Sequence, residues 1–364
     1  MQNGRVGNDN SISGGGIRIR SSSPTITNNV IRNNQACRGG GIGILSGSPL
    51  IQWNTITANS NHCAFTGGSE DIYINNGRGI HINLEGAPEI LDNVISDNET
   101  KSGGGIFMGF ERTTPIIKRN VIRENRASQG AGISMWNDVD ALIVQNLITG
   151  NQASEGGGIH SAARTGAVVN NTIADNDSSE EGSGIFMFGY QGLQLINNII
   201  VAKPGQVGLY CGGIDPTVRF NNIFSAGGTA YAGGCSNKAG TNGNISTDPL
   251  FTNPTQGDYH LQQGSPSIVA GTNQAPNLLD TDIDGDPRIL DGDGDGTAIV
   301  DMGVDEFLAP PSLGISLKLD RSSRMRPESH VRLYEGVGMR FPRATRLFVG
   351  RITAGYQFTS KASK

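Results

Sequence analysis

The sequence is short of what a thick globular core requires. Apolar residues make up 36% and aromatics 6% of 364 residues, with two tryptophans. Both are low for a globular domain. No apolar run approaches the ~18 residues of a membrane span, so no transmembrane segment is expected. Only four cysteines occur, without the spacing of a zinc site. The formal net charge is −5. An acidic body lacks the basic face that phosphates require, which argues against nucleic acid as a partner. No segment carries a sustained 3.6-residue period, so helices are not expected. No signal peptide follows Met1.

What the chain has in abundance is glycine, 53 residues, and asparagine, 33 residues. Glycine shows no period of three, which excludes collagen. The two types recur in register instead. An isoleucine after a glycine pair or triplet falls at Ile17, Ile42, Ile80, Ile106, Ile133, Ile159 and Ile185, with a weaker copy at Ile214. A second track, N-x-I-x-x-N, begins at Asn29, Asn54, Asn93, Asn120, Asn146 and Asn171. An apolar residue stands three before each: Ile26, Ile51, Ile90, Ile117, Ile143 and Val168. Asn198 and Asn221 keep part of the pattern.

Each unit reads as three short alternating strands with glycine and asparagine at the corners. Such a unit cannot bury its apolar side alone. Coils stacked at ~4.8 Å place like residues over like. Isoleucines then form an internal file, and asparagines form amide ladders. The expected fold is all-β, a single-stranded parallel β-helix. A leucine-rich repeat lacks support, because neither leucine spacing nor a helix per unit is present. Residues 60–79 interrupt the period and are expected to bulge outward as a loop. The chain reads as starting inside a coil, with Asn8 to Ile17 as the end of one repeat.

The repeats over roughly residues 8 to 225 resemble the right-handed parallel β-helices of the pectate-lyase-like superfamily. Farther on, NISTDPLF (244–251), GDYHL (257–261), GSPSI (264–268), DIDGDPR (282–288) and VDMGVDEF (300–307) resemble the bacterial choice-of-anchor Q domain. That resemblance implies an extracellular or cell-surface bacterial protein. Three regions are expected: a β-helix over 1–243, a capping module over 244–309, and a basic, disordered tail over 310–364. Residues 1–309 carry 17 Lys+Arg against 30 Asp+Glu, and 310–364 carry 11 against 3.

Cys37 and Cys63 are 26 residues apart, and Cys211 and Cys235 are 24 apart. Each separation is about one coil, which brings Cα atoms within disulfide range. Two bridges, or four buried thiols, follow.

In the superfamily it resembles, substrate lies along the outer face of the first sheet, here the GIxI strands. Strand alternation identifies that face. Its first outward row is Arg18, Gly43, His81, Phe107, Ser134, His160 and Phe186; its second includes Asn83, Trp136, Ala162 and Phe188. Aromatic rings standing in water suggest a sugar groove, with His81, Phe107, Trp136, Phe186 and Phe188 as substrate-binding residues. His160, Arg112, Glu155 and Asp138 are the catalytic candidates, for a glycoside hydrolase or a polysaccharide lyase. Glu111 and Asp140 also flank the face.

In the module, Asp280, Asp282, Asp284 and Asp291 fit D-x-D-x-D-G with a closing acid, and Asp291, Asp293 and Asp295 begin a second copy. Alternating carboxylates around a glycine turn suit Ca²⁺; a self-solvating Asp/Gly turn is the alternative. The expected function is a monomeric protein that binds, and as an enzyme would cleave, an acidic or neutral polysaccharide. The competing expectation is a non-catalytic adhesive or structural scaffold.

Overall fold

A computed structural model describes residues 1–4, 14–60, 76–109, 112–190 and 192–309. The expected bulge over residues 60–79, the Cys37–Cys63 pairing, Glu111 and the tail 310–364 lie outside the described residues, in whole or in part.

The chain is a right-handed solenoid of parallel strands. The first strand of each coil is β1 (Ile17–Ile19), β2 (Ile42–Ile44), β3 (Ile80–Ile82), β4 (Ile106–Met108), the start of β5 (Ile133–Val144), the start of β6 (Ile159–Val169), β7 (Ile185–Phe188), β8 (Val207–Gly212) and β9 (Thr229–Gly233). Their register pairs Ile80, Ile106, Ile133, Ile159 and Ile185 in one file. All five are fully buried. The file then continues through Leu209 and Tyr231. Ile214 is therefore not the eighth copy. Leu209 occupies that place, and Ile214 follows the strand. The Gly/Ala/Asn-rich stretch after 225 supplies one more first strand.

Corners are set by backbone handedness. The residue before each ladder asparagine is left-handed: Asn28, Trp53, Asp92, Arg119, Gln145, Asn170, Asn197 and Phe220 at one corner, with φ between 51° and 57°. That turn aims the next side chain inward. The Asn146 amide donates to Asn171 Oδ1 at 3.0 Å and to the carbonyls of Ile117 and Val144 at 2.9 and 3.1 Å. Its Oδ1 accepts from the backbone and amide nitrogens of Asn120 at 2.9 and 3.0 Å. This ladder runs from Asn29 through Asn221 to Asn244, one rung beyond the sequence pattern. A second ladder joins Asn34, Asn59, Asn98, Asn125, Asn151 and Asn176 at the next corner. Glycine leads into the first strand because space is absent: a Cβ on Gly132 would lie 2.4 Å from the Gly158 carbonyl oxygen.

Cys211 and Cys235 are bridged across the last two coils, with Cα atoms 5.5 Å apart. Residues 246–309 then turn back along the flank of coils five to eight. Ala275, Leu278 and Leu279 cover Val144, Val169 and Ile196 on the second sheet. Leu261 and Met302 cover Ile199 on the third. Polar groups at the corner dock the same segment. Gln145 donates to the Thr281 carbonyl at 2.9 Å, Asn170 to that of Asp301 at 3.1 Å, and Asn197 to that of Thr272 at 3.0 Å. The segment is thus a flank cover held by apolar rows and corner amides together.

Replacing Asn146 with alanine leaves the Asn120 backbone N–H without its partner in a dry interior. It also takes one bond each from the Asn120 amide, which keeps the Ile90 and Lys118 carbonyls, and from the carbonyls of Ile117 and Val144. Each orphaned group costs ~1–3 kcal/mol. The expected loss of unfolding free energy is about 3–5 kcal/mol, measurable by urea denaturation. An Asn146→Ala protein as stable as the parent removes the ladder as a main support.

Candidate functional site

The outward row of the first sheet falls in the expected register. His81 pairs Phe107, Phe107 pairs Ser134, Ser134 pairs His160, His160 pairs Phe186, and Phe186 pairs Tyr210. Its exposure differs from expectation. Phe107 is 2% exposed, His160 0%, His81 1% and Phe186 9%. These rings stack on one another instead of standing in water. His81 and Phe107 lie 5.2 Å apart at 13°, His160 and Phe186 5.3 Å at 12°, and Phe186 and Tyr210 5.3 Å at 3°. Rung spacing suits offset ring stacking, so adjacent coils seal each other's rings. The second outward row is half-exposed at Trp136 and Phe188.

At several coils the two outward rows compensate in volume, a large first residue standing with a small second one: Phe107 with Gly109, His160 with Ala162, Tyr210 with Gly212; at Phe186 and Phe188 both are large. Ser134 is the small member of the first row, and Trp136 is the large partner in the second. The Trp136 indole N–H donates to Ser134 Oγ at 2.8 Å, and its ring lies 5.0 Å from His160. Phe188 meets it edge-on at 5.8 Å. The tryptophan is thereby fixed with one part of its ring open to solvent.

The four catalytic candidates fall into two pairs. Glu155 Oε2 is 3.8 Å from His160 Nε2 and accepts from Gln129 at 3.1 Å. Among the described residues, neither imidazole nitrogen of His160 has a hydrogen-bond partner. Burial depresses its pKa to about 4 despite the nearby carboxylate, so the ring is neutral at pH 7. His81 is also lowered well below its ordinary value, by burial and then by Arg38 and Arg78. Arg112 and Asp138 instead line an open cleft of about 350 Å³ with Thr113, Thr114, Asp140, Arg164 and Thr165. Arg164 Nε is 2.8 Å from Asp138 Oδ1, and its guanidinium lies 5.0 Å from the Tyr190 ring. Asp138 follows Trp136 by two residues in the same long strand, across the left-handed Asn137. Tyr190 and the threonines were not foreseen, because no periodic row contains them.

The six metal candidates also separate. Asp282 is buried, and its oxygens accept the backbone N–H groups of Asp284, Gly285, Asp286 and Glu306. It is a turn acceptor with little capacity left for a cation. Asp284 pairs with His260 at 2.8 Å, beside Asp305. Asp258 takes the other His260 nitrogen, and the imidazole pKa rises to about 9, through that bond first. Asp291, Asp293 and Asp295 converge with donor oxygens within 4.8 Å of one another. Asp280 joins neither group. Arg288 was missed entirely: it is buried and donates to the carbonyls of Asp301 and Gly303 at 3.1 and 2.8 Å. Burial raises the neighbouring Glu306 to about 9 and Asp301 to about 6.

With this geometry in place, comparison with known proteins bears on the solenoid. The family described as "Right handed beta helix region" matches residues 74–245. This chain is a parallel β-helix repeat protein. No curated protein matches it in sequence. Among solved structures, the complex of XylC with xylose matches at 14% identity and a TM-score of 0.32, over 62% of this chain. The β-helix protein spans 39% of that chain's length. A likeness at that level carries no argument about activity. Among the described residues, no helix is long and apolar enough to cross a membrane.

The buried histidine gives a pH test. Unfolded, His160 titrates near 6.5; folded, near 4. Between these values the unfolded chain binds more protons, so stability falls as pH drops from 6.5 to 4 and levels below. By pH 4.5 the loss attributable to His160 is about 2–3 kcal/mol. His160→Phe, which continues the ring stack, should remove that part of the pH dependence in denaturation curves. Parallel curves for the two proteins would refute a sealed neutral imidazole.

Proposed function

We propose that the protein is an extracellular or cell-surface glycan-binding β-helix. A polysaccharide strand lies in the cleft beside Trp136 and is held there without being cut. The observation that carries this reading is the pinned, half-exposed indole two residues along its strand from Asp138, which lines the cleft with Arg112, Asp140 and Arg164. A flat ring suits the C–H face of a sugar, and the fixed charges and threonines suit its hydroxyls. Two arginines offset two aspartates there, which fits a neutral or weakly acidic chain. Binding is favoured over cleavage because His160 is sealed beneath rings and cannot reach a substrate proton.

Two further expectations belong to this proposal. Ca²⁺ binds the turn of Asp291, Asp293 and Asp295, whose oxygens converge. Residues 244–307 act as an anchor-type module on an exported monomer. The Cys211–Cys235 bridge supports that placement, since disulfides persist in oxidising compartments.

Affinity electrophoresis against a panel of soluble polysaccharides tests the reading. At least one should retard the protein, and Trp136→Ala should weaken that retention by about tenfold, ~1.4 kcal/mol. Unchanged retention removes the tryptophan from the site. Reducing-end or unsaturated products that vanish in Asp138→Ala would replace binding with catalysis.

A further inference from the structure

The corner between the second and third strands carries a row of left-handed residues, and its rungs fare differently. Over coils five to seven, Gln145, Asn170 and Asn197 are covered and bonded by residues 272–303. Phe220, an aromatic at the same place in the repeat, packs against the apolar cluster of Leu261 and Met302. Trp53 occupies that place in coil two and is 57% exposed, with φ at 57°. A bulky side chain is uncommon in this backbone region. Neither the strain nor the exposure helps the coil to fold. Asparagine, as at Asn28, would serve the turn better.

The surroundings of Trp53 are specific. Asp92 is one rung away in the same row, about 4.8 Å along the axis. Arg119, the next rung, holds it with two bonds, at 2.6 and 3.0 Å, and Gln52 holds it with a third, at 2.9 Å. The corner therefore offers an open indole face beside a rigid, charge-balanced set of donors and acceptors. A protein partner needs ~800 Å² of mixed surface with an apolar centre. Here the adjoining rung of the row is the polar, exposed Asn28, and Val30 is an exposed apolar side chain on that coil. A sugar ring needs only what is present, a flat apolar face and fixed polar groups at its edge. Because the two charges cancel, the ring is uncharged.

We propose that Trp53, with the Asp92–Arg119 pair, forms a second glycan subsite that binds a neutral pyranose on a face separate from the Trp136 cleft. It does not depend on that cleft being a binding site.

The chain has two tryptophans, so Trp136→Phe leaves Trp53 as the sole indole. Its emission is titrated with β-linked hexasaccharides of xylose, glucose and mannose. At least one should shift the emission to shorter wavelength with a saturable curve in the millimolar range or below. Asp92→Asn and Arg119→Leu should each raise the apparent Kd by about tenfold or more, with thermal melting confirming an intact fold. Emission unmoved by all three sugars overturns the proposal. So does a sugar-induced shift indifferent to both substitutions, or a shift driven by protein concentration alone, which would mark a contact between copies. The cleft is tested by the reverse protein, Trp53→Phe, so failure at one face is distinguishable from failure at the other.

Discussion

A buried amide has two donors and an acceptor to satisfy, and this constraint organises the molecule. In each coil the ladder asparagine satisfies them with two carbonyls of neighbouring strands and with the asparagine above and below. A shift of one residue in any coil would orphan groups on three coils at once. The isoleucine file tolerates small errors, because dispersion is not directional. The amide ladder tolerates none. Register is therefore specified by asparagine and stabilised by isoleucine. A coil can be short of apolar residues without being short of specificity.

Fixed register makes the outside of the helix as ordered as the inside. Rows one rung apart are near ring-stacking distance, so His81 with Phe107 and His160 with Phe186 become layers of one wall. The wall is continuous only where each coil contributes the right volume. At Ser134 it does not, and Trp136 folds over the gap. The flank cover obeys the same logic from the other side. Its polar contacts go to corner residues of successive coils, Gln145, Asn170 and Asn197, so its path follows the repeat.

How much of this was legible depends on whether a feature is periodic. The file through Ile106, Ile133 and Ile159, both asparagine ladders and the Cys211–Cys235 bridge could be read because each repeats at one coil. Ile214 was misread for the same reason: it looked like the motif, while the strand used Leu209, whose glycine lead-in is altered. The direction of the outward rings was legible, but their burial was not. Alternation tells which way a side chain points and nothing about what stacks on it. The charged pairing at Asp92 and Arg119 could be anticipated from adjacent coils. Arg288, Asp282 and Glu306 could not, since they act within an aperiodic segment whose path no spacing reveals.

Those two classes of residue bear differently on function. A side chain that recurs at every rung is explained by stacking, and its presence requires nothing further. Departures from the repeat are where explanation by folding runs out. Trp136 is half explained, because it fills the gap above Ser134 yet leaves part of its ring in water. Trp53 is not explained at all by its own coil. It takes a left-handed corner that asparagine suits better and meets solvent where its counterpart Phe220 is covered. In a solenoid, then, the search for a binding surface is best made among the exceptions. The two tryptophans are both exceptions, on different faces of a scaffold rigid enough to hold each ring in place.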